Sequence, residues 1–178
     1  MLVKSFFAGF GGQGVMLMGY ALAYAGMLEN KQVTYLPAYG AEVRGGTAHC
    51  TVAISDEEIA SPIASAPEFI VVMNTPSLIS FQNQVQSGGQ LFLNSSLISQ
   101  RPIRGDLEVF EVPASKLAEE LGNIRFANMI MLGAFVKKTK LISLKTLLDN
   151  LGEILARVKK ELIKANKTAL LQGYEYLK

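Results

Sequence analysis

About half of the 178 residues are apolar (49%), enough for one domain with a substantial core, so a single domain over 1–178 is the expectation. A formal charge of +2 is too near neutral for nucleic-acid binding to be a main function. One cysteine, Cys50, and one histidine, His49, exclude an internal disulfide and leave no His/Cys cluster for zinc or an iron–sulfur centre, so no metal is assigned to this chain.

The opening Val3–Ala8 is a short apolar run bounded by glycine, as expected of a central strand buried on both faces of a parallel sheet. Lys4 interrupts that opening and no small-residue cleavage pattern follows, so no secretory segment is read. Apolar runs are cut well short of the ~20 residues of a membrane span. No membrane partner is expected, and the cytoplasm is the expected compartment.

The glycine-rich turn Gly9-Phe10-Gly11-Gly12-Gln13-Gly14 follows, then a helix-like run from Val15 to Leu28. Strand, glycine turn and helix in this order aim backbone N–H groups at an anion, and Gly9, Gly11 and Gly14 satisfy G-x-G-x-x-G. A Rossmann-like three-layer α/β domain with a mostly parallel central sheet and C-terminal helices is the predicted fold class. A dinucleotide site also needs a carboxylate ending the second strand. Val33–Leu36 ends instead in Pro37-Ala38-Tyr39, and Glu29 lies before that strand begins. The glycines therefore serve either to let the helix pack close to the sheet or to contact an anion or cofactor.

Pro37 is expected to stop strand pairing. The loop Tyr39-Gly40-Ala41-Glu42-Val43-Arg44-Gly45-Gly46-Thr47, with three glycines and an opposite-charge pair, is the most function-like segment. Thr47–Ser55 then alternates as a strand, with Cys50 and His49 on opposite sides, which argues against a Cys–His nucleophilic dyad. Asp56-Glu57-Glu58 reads as a solvated acidic turn rather than a metal site.

Phe69–Met73 is another buried strand, followed by a helix start with Thr75 as N-cap and Pro76 as its first residue. Ligands of open α/β sheets bind outside the carboxyl ends of strands, which makes Asn74 either a pocket residue or a cap for its own helix. Strands are expected at Gln90–Asn94 and Glu108–Val112, then a short helix from Pro113-Ala114-Ser115 to about Gly122. Phe126–Val136 is apolar at nearly every position, which implies a helix buried all round, or one shared with a partner as an obligate interface. From Ser143 onward the apolar residues keep a 3/4 spacing, with Gly152 a plausible break.

No phosphate-loop, nucleophile-elbow, H-E-x-x-H or C-x-x-C pattern occurs, so phosphoryl transfer, esterase, metalloprotease and dithiol chemistry lose their usual support. One face remains unusual, built from Gly11, Gly12, Gln13, Gly14, the loop residues Tyr39, Glu42, Arg44, Gly45, Gly46 and Thr47, and Asn74. These are the cofactor-binding candidates, facing an active site or coenzyme A, or else an interface; no catalytic residue is assigned.

Three stretches carry a resemblance: the turn Gly9–Gly14, the segment Leu36–Ala48, and Met73-Asn74-Thr75-Pro76-Ser77. With Asn128-Met129 and Gly133-Ala134, they resemble the gamma subunit of 2-oxoacid:ferredoxin oxidoreductases across nearly the whole chain. The loop is more similar to the 2-oxoglutarate and branched 2-oxoacid (2-oxoisovalerate) forms than to the pyruvate or indolepyruvate forms, with Ala41 where proline is common.

The resemblance implies a subunit, inactive alone, of an enzyme that converts a 2-oxoacid and coenzyme A to acyl-CoA and CO2 and passes electrons to ferredoxin. It implies alpha, beta and ferredoxin-like delta partner subunits. Thiamine diphosphate, magnesium and iron–sulfur clusters would be carried on those partners, none being bound by this chain alone. Within it, Arg44 would supply a positive charge for a carboxylate or a CoA phosphate, or an interface salt bridge, with Glu42 orienting it or pairing with a partner chain. The rival from another class is a stand-alone Rossmann-like nucleotide-binding or regulatory protein.

Overall fold

The computed structural model describes residues 1–39, 47–156 and 158–178, so Glu42, Arg44, Gly45 and Gly46 lie outside the described residues. Strand β1 (Leu2–Phe10) carries Phe6, Phe7 and Ala8 almost fully buried, and that burial on both faces places it inside the sheet. It pairs antiparallel with β3 (Thr47–Ser55) and parallel with β4 (Phe69–Val72). With β2 (Gln32–Tyr39), β5 (Gln90–Asn94) and β6 (Glu108–Val112) the order is β2-β3-β1-β4-β5-β6. The β4–β5 and β5–β6 pairs are parallel, so the sheet is mostly parallel.

Because β2 and β1 are each antiparallel to β3, they run in the same direction. The unit β1–helix–β2 is therefore a parallel crossover with β3 inserted between its strands. Pro37 does not stop the pairing, contrary to the sequence expectation: β2 continues through Pro37↔Cys50 and Ala38↔His49 to Tyr39↔Ala48. The reason is position. β2 is the sheet edge, where a residue whose N–H would point outward needs no donor.

Helix α1 (Val15–Leu28) packs on one face of β1, β2 and β3. Its C-cap Glu29 accepts hydrogen bonds from Ser143 N (2.7 Å) and Thr146 Oγ1 (2.6 Å), fastening the start of α5 (Leu144–Ile154). That carboxylate is committed to helix docking, far from a ribose-binding role. Helix α2 (Thr75–Phe81) covers the opposite face, where Leu78 joins Phe6, Ala8, Ile70, Val72, Leu91 and Leu93. Asn74 is its N-cap, accepting from Ser77 N at 2.9 Å, and Thr75 is already helical. The expected cap is thus displaced by one residue, because the longer Asn74 side chain reaches back over the first turn.

After α3 (Ala114–Glu120) comes α4 (Ala127–Thr139), buried at every position from Ala127 to Val136. Its Phe135 ring lies 5.2–5.8 Å from those of Phe7, Phe69 and Phe92 on three strands. Its far side is covered by α6 (Lys160–Tyr176), which approaches so closely that a Cβ on Gly133 would overlap the Leu170 carbonyl and one on Gly173 that of Ile130. The all-round apolar run is therefore satisfied by this chain's own elements, and it gives no sign of a partner. Gly152 does not break α5, which runs through it to Ile154 and buries Leu147, Leu151 and Ile154.

Candidate functional site at the carboxyl edge of the sheet

The chain turns from β1 into α1 within four residues, and the left-handed backbone at Gly12 (φ 98°) and Gly14 (φ 75°) makes that possible. Gly14 is constrained twice, since a Cβ there would strike the Asn128 amide, which donates to the Gly14 carbonyl at 3.4 Å. Among the described residues no side chain caps α1, and no carboxylate lies in its first turn. The amides of Gly11, Gly12 and Gly14 have no acceptor among the described residues.

Gln13 is held from three sides. Its Oε1 accepts from Phe10 N and from Asn74 Nδ2, both at 2.7 Å, and its Nε2 donates to the Met73 carbonyl at 3.3 Å. Because Asn74 Oδ1 accepts from Ser77 N, the Asn74 amide has one possible orientation, and that fixes Gln13 in turn. The Met73 carbonyl also accepts from Asn94 Nδ2 (3.5 Å), which donates to Ser115 Oγ (2.8 Å), while Asn94 Oδ1 accepts from Ser115 N (3.3 Å). One amide chain thus fastens the ends of β1, β4 and β5 to the starts of α2 and α3. Asn74, Asn94 and Ser115 are at most 5% exposed, so each unmade bond would cost about 1–3 kcal/mol.

The sheet topology brings the second stretch to the same edge. Thr47, at the start of β3, pairs with Phe10, and Tyr39, at the end of β2, pairs with Ala48. Gly11, Gly12, Gln13, Gly14, the backbones of Tyr39 and Thr47, and Asn74 therefore gather at one edge, beside the point where the chain turns from β1 toward opposite sides of the sheet. A cleft of about 170 Å³ opens there, lined by Gly12, Gln13, Met73, Leu97, Ser115 and Arg125 among others.

Cys50 and His49 lie on opposite sides of β3, as the alternation requires. The Cys50 thiol is buried under α1, donates to the Val15 carbonyl at 3.5 Å, and is pushed up to about 12 by desolvation. His49 stacks on Phe6 (5.0 Å) and packs on Phe81 (5.3 Å); burial holds its pKa below the ordinary value, and its Nδ1 finds no partner among the described residues. Neither is placed for nucleophilic work. No group of three or more His, Cys, Asp or Glu side chains suited to a metal occurs among the described residues.

Ser115 and Arg125, which line the cleft, and Asn94, which braces Ser115, are residues that sequence reasoning passed over. Asn94 ends β5 as Asn74 follows β4, so the rule that singled out Asn74 points to it as well. Ser115 and Arg125 carried no signal; only the packing of α3 and the following 3-10 turn Ile124–Phe126 brings them to the cleft. No helix among the described residues is long and apolar enough to cross a membrane.

An α/β sheet split by an antiparallel strand, with a glycine turn and the ends of β2 and β3 at one edge, defines the class; the chain belongs to the pyruvate ferredoxin/flavodoxin oxidoreductase family, matching over residues 4–176. It is 32% identical over 174 residues to 2-oxoglutarate synthase subunit KorC of Methanocaldococcus jannaschii, covering 96% of this chain and 91% of that one. Ketoisovalerate oxidoreductase subunit VorA of Methanothermobacter thermautotrophicus is 42% identical over 129 residues, 72% of this chain. The chain spans only about a quarter of VorA, 27% of its length. Among solved structures, the keto/oxoacid ferredoxin oxidoreductase gamma subunit of Geobacter sulfurreducens superposes with a TM-score of 0.84 at 26% identity, covering 97% of this chain and 96% of that one. The 2-oxoglutarate:ferredoxin oxidoreductase of Magnetococcus marinus shares the fold, with a TM-score of 0.89 at 22% identity over 99% of this chain and 32% of its own.

Proposed function

We propose that this chain, as one domain over 1–178, is the gamma subunit of a multi-subunit, thiamine diphosphate-dependent 2-oxoacid:ferredoxin oxidoreductase. The reaction is oxidative decarboxylation of 2-oxoglutarate or a branched 2-oxoacid with coenzyme A, giving acyl-CoA and CO2 and reducing ferredoxin. The observation that carries the reading is the match to KorC over 96% of this chain and 91% of that one. VorA, a ketoisovalerate oxidoreductase subunit, keeps a branched substrate open beside 2-oxoglutarate.

In this reading thiamine diphosphate, magnesium and the iron–sulfur clusters belong to alpha, beta and ferredoxin-like delta partners in the cytoplasm, and supply the decarboxylation and electron transfer. This chain supplies shape and charge. The glycine turn offers amides that have no acceptor among the described residues, Gln13 and Asn74 hold it in place, and Gly45-Gly46 would let backbone approach a ligand or a neighbour closely. Arg44 contributes a fixed positive charge for a carboxylate or a CoA phosphate.

Affinity purification of the tagged full chain from its native source tests the assembly: co-elution of 2-oxoacid oxidoreductase subunits is expected, and a partnerless chain would refute it. In the assembled enzyme, Arg44→Ala should raise KM for coenzyme A or the 2-oxoacid. Unchanged kinetics with normal assembly would remove that role from Arg44.

A further inference from the structure

We infer that the cleft between the glycine turn and the 3-10 turn Ile124–Phe126 is an oxyanion subsite, in which the Ser115 hydroxyl, the Arg125 guanidinium and the Gly12 amide receive a carboxylate or phosphate-type group. The argument rests on which hydrogen-bonding groups the protein has already used. On the acceptor side, Gln13 Oε1 takes Phe10 N and Asn74 Nδ2, and the Met73 carbonyl takes Gln13 Nε2 and Asn94 Nδ2. The Gln13 amide oxygen and the Met73 carbonyl are therefore spent within the fold.

The donors are not. Asn94 Oδ1 accepts from Ser115 N, so Asn94 Nδ2 must be the donor to Ser115 Oγ. Ser115 thus uses a lone pair on Asn94 and keeps its own proton, which has no acceptor among the described residues although the residue is only 5% exposed. The Gly12 amide and the Arg125 side chain are likewise without protein acceptors among the described residues. No carboxylate lines the cleft. Three unspent donors, one of them cationic, in a lining that holds no carboxylate favour an anion over a cation.

The volume of about 170 Å³ admits one carboxylate or phosphate group and not a whole nucleotide, so the subsite would hold one charged end of a larger molecule or a free anion. Exposed Leu97 and Ile124 at its rim would shield that contact from water. This inference needs only the isolated chain and stands or falls separately from the oxidoreductase reading.

The test is an amide and arginine-side-chain NMR titration of the full chain with sodium phosphate and, separately, sodium acetate, each against sodium chloride at equal ionic strength. Saturable shifts at Gly12, Ser115 and the Arg125 guanidinium are expected with at least one oxyanion. Tighter phosphate binding identifies a phosphate-type occupant, tighter acetate binding a carboxylate. Arg125→Gln, on an exposed side chain that the fold does not need, should weaken binding about tenfold, and Ser115→Ala by a similar factor. Shifts no larger than chloride gives, or saturable binding that Arg125→Gln leaves unchanged, would overturn the subsite.

Discussion

Gln13 and Asn74, sixty-one positions apart, share a 2.7 Å hydrogen bond that ties the turn after β1 to the residue capping α2. Gln13 is spent on holding this edge together rather than on reaching a ligand. Gln13→Ala would leave Phe10 N and Asn74 Nδ2 without their acceptor. The expected cost is about 1–3 kcal/mol, read from urea denaturation midpoints. Gln13→Glu keeps the acceptor but turns an oxygen toward the Met73 carbonyl, so it should not restore full stability; a wild-type midpoint in both variants would remove Gln13 from this role.

The α4–α6 crossing depends on two residues without side chains. Gly173→Ala must push the helices apart, because the added carbon would overlap the Ile130 carbonyl, a backbone atom that no rotamer change can move. Overpacking of this kind costs about 1–3 kcal/mol, or a fall in Tm of about 2–12 °C at this chain length. Gly152→Ala inside α5, where the nearest atom is Ile163 Cδ1 of α6 at 4.0 Å, should leave Tm nearly unchanged or raise it slightly.

His49 makes stability depend on pH. Burial lowers its folded pKa below that of the unfolded chain, so the unfolded chain binds more protons as pH falls through about 6.5. Stability is full above that value and declines below it. His49→Phe, which keeps an aromatic ring beside Phe6 and Phe81, should flatten the decline between about pH 7 and pH 5. Asp106, held well below the usual carboxylate range by hydrogen bonds from Arg104, should still lose its contribution below about pH 4. Denaturation midpoints across that range distinguish the two groups.

Cys50 should be inert while the chain is folded. With the thiol pushed up to about 12 and covered by α1, Ellman's reagent at pH 8 should label it slowly in buffer and rapidly in strong denaturant. Fast native labelling would mean that α1 does not seal this face of β3.

Much of this arrangement was legible along the chain, for reasons that also mark its limit. The β1, glycine turn and α1 order, the alternation of β3 and the positions of β5 and β6 are local patterns, and local patterns survive folding. Whether Pro37 ends a strand depends on where that strand lies in the sheet. The sequence offered no means of placing β2 at the edge, or β3 between β2 and β1. The apolar run at 126–136 fitted a partnered helix as well as a buried one until α6 was seen to cover it. Glu29, set aside as a ribose ligand because it precedes β2, had no readable role until α5, more than a hundred residues later, was seen to claim its carboxylate. Ser115 and Arg125 reach the cleft only through packing, and Glu42, Arg44, Gly45 and Gly46 rest on the family resemblance alone.

The central claim is that this chain completes a 2-oxoacid oxidoreductase. It is tested most directly by comparing CoA-dependent reduction of a low-potential acceptor by the enzyme purified from the native source and by the same subunits lacking this chain, with 2-oxoglutarate, 2-oxoisovalerate and pyruvate in turn. The account predicts turnover of 2-oxoglutarate or 2-oxoisovalerate by the complete enzyme, loss of that turnover without this chain, and its return when the purified chain is added back. Full activity in its absence would contradict it.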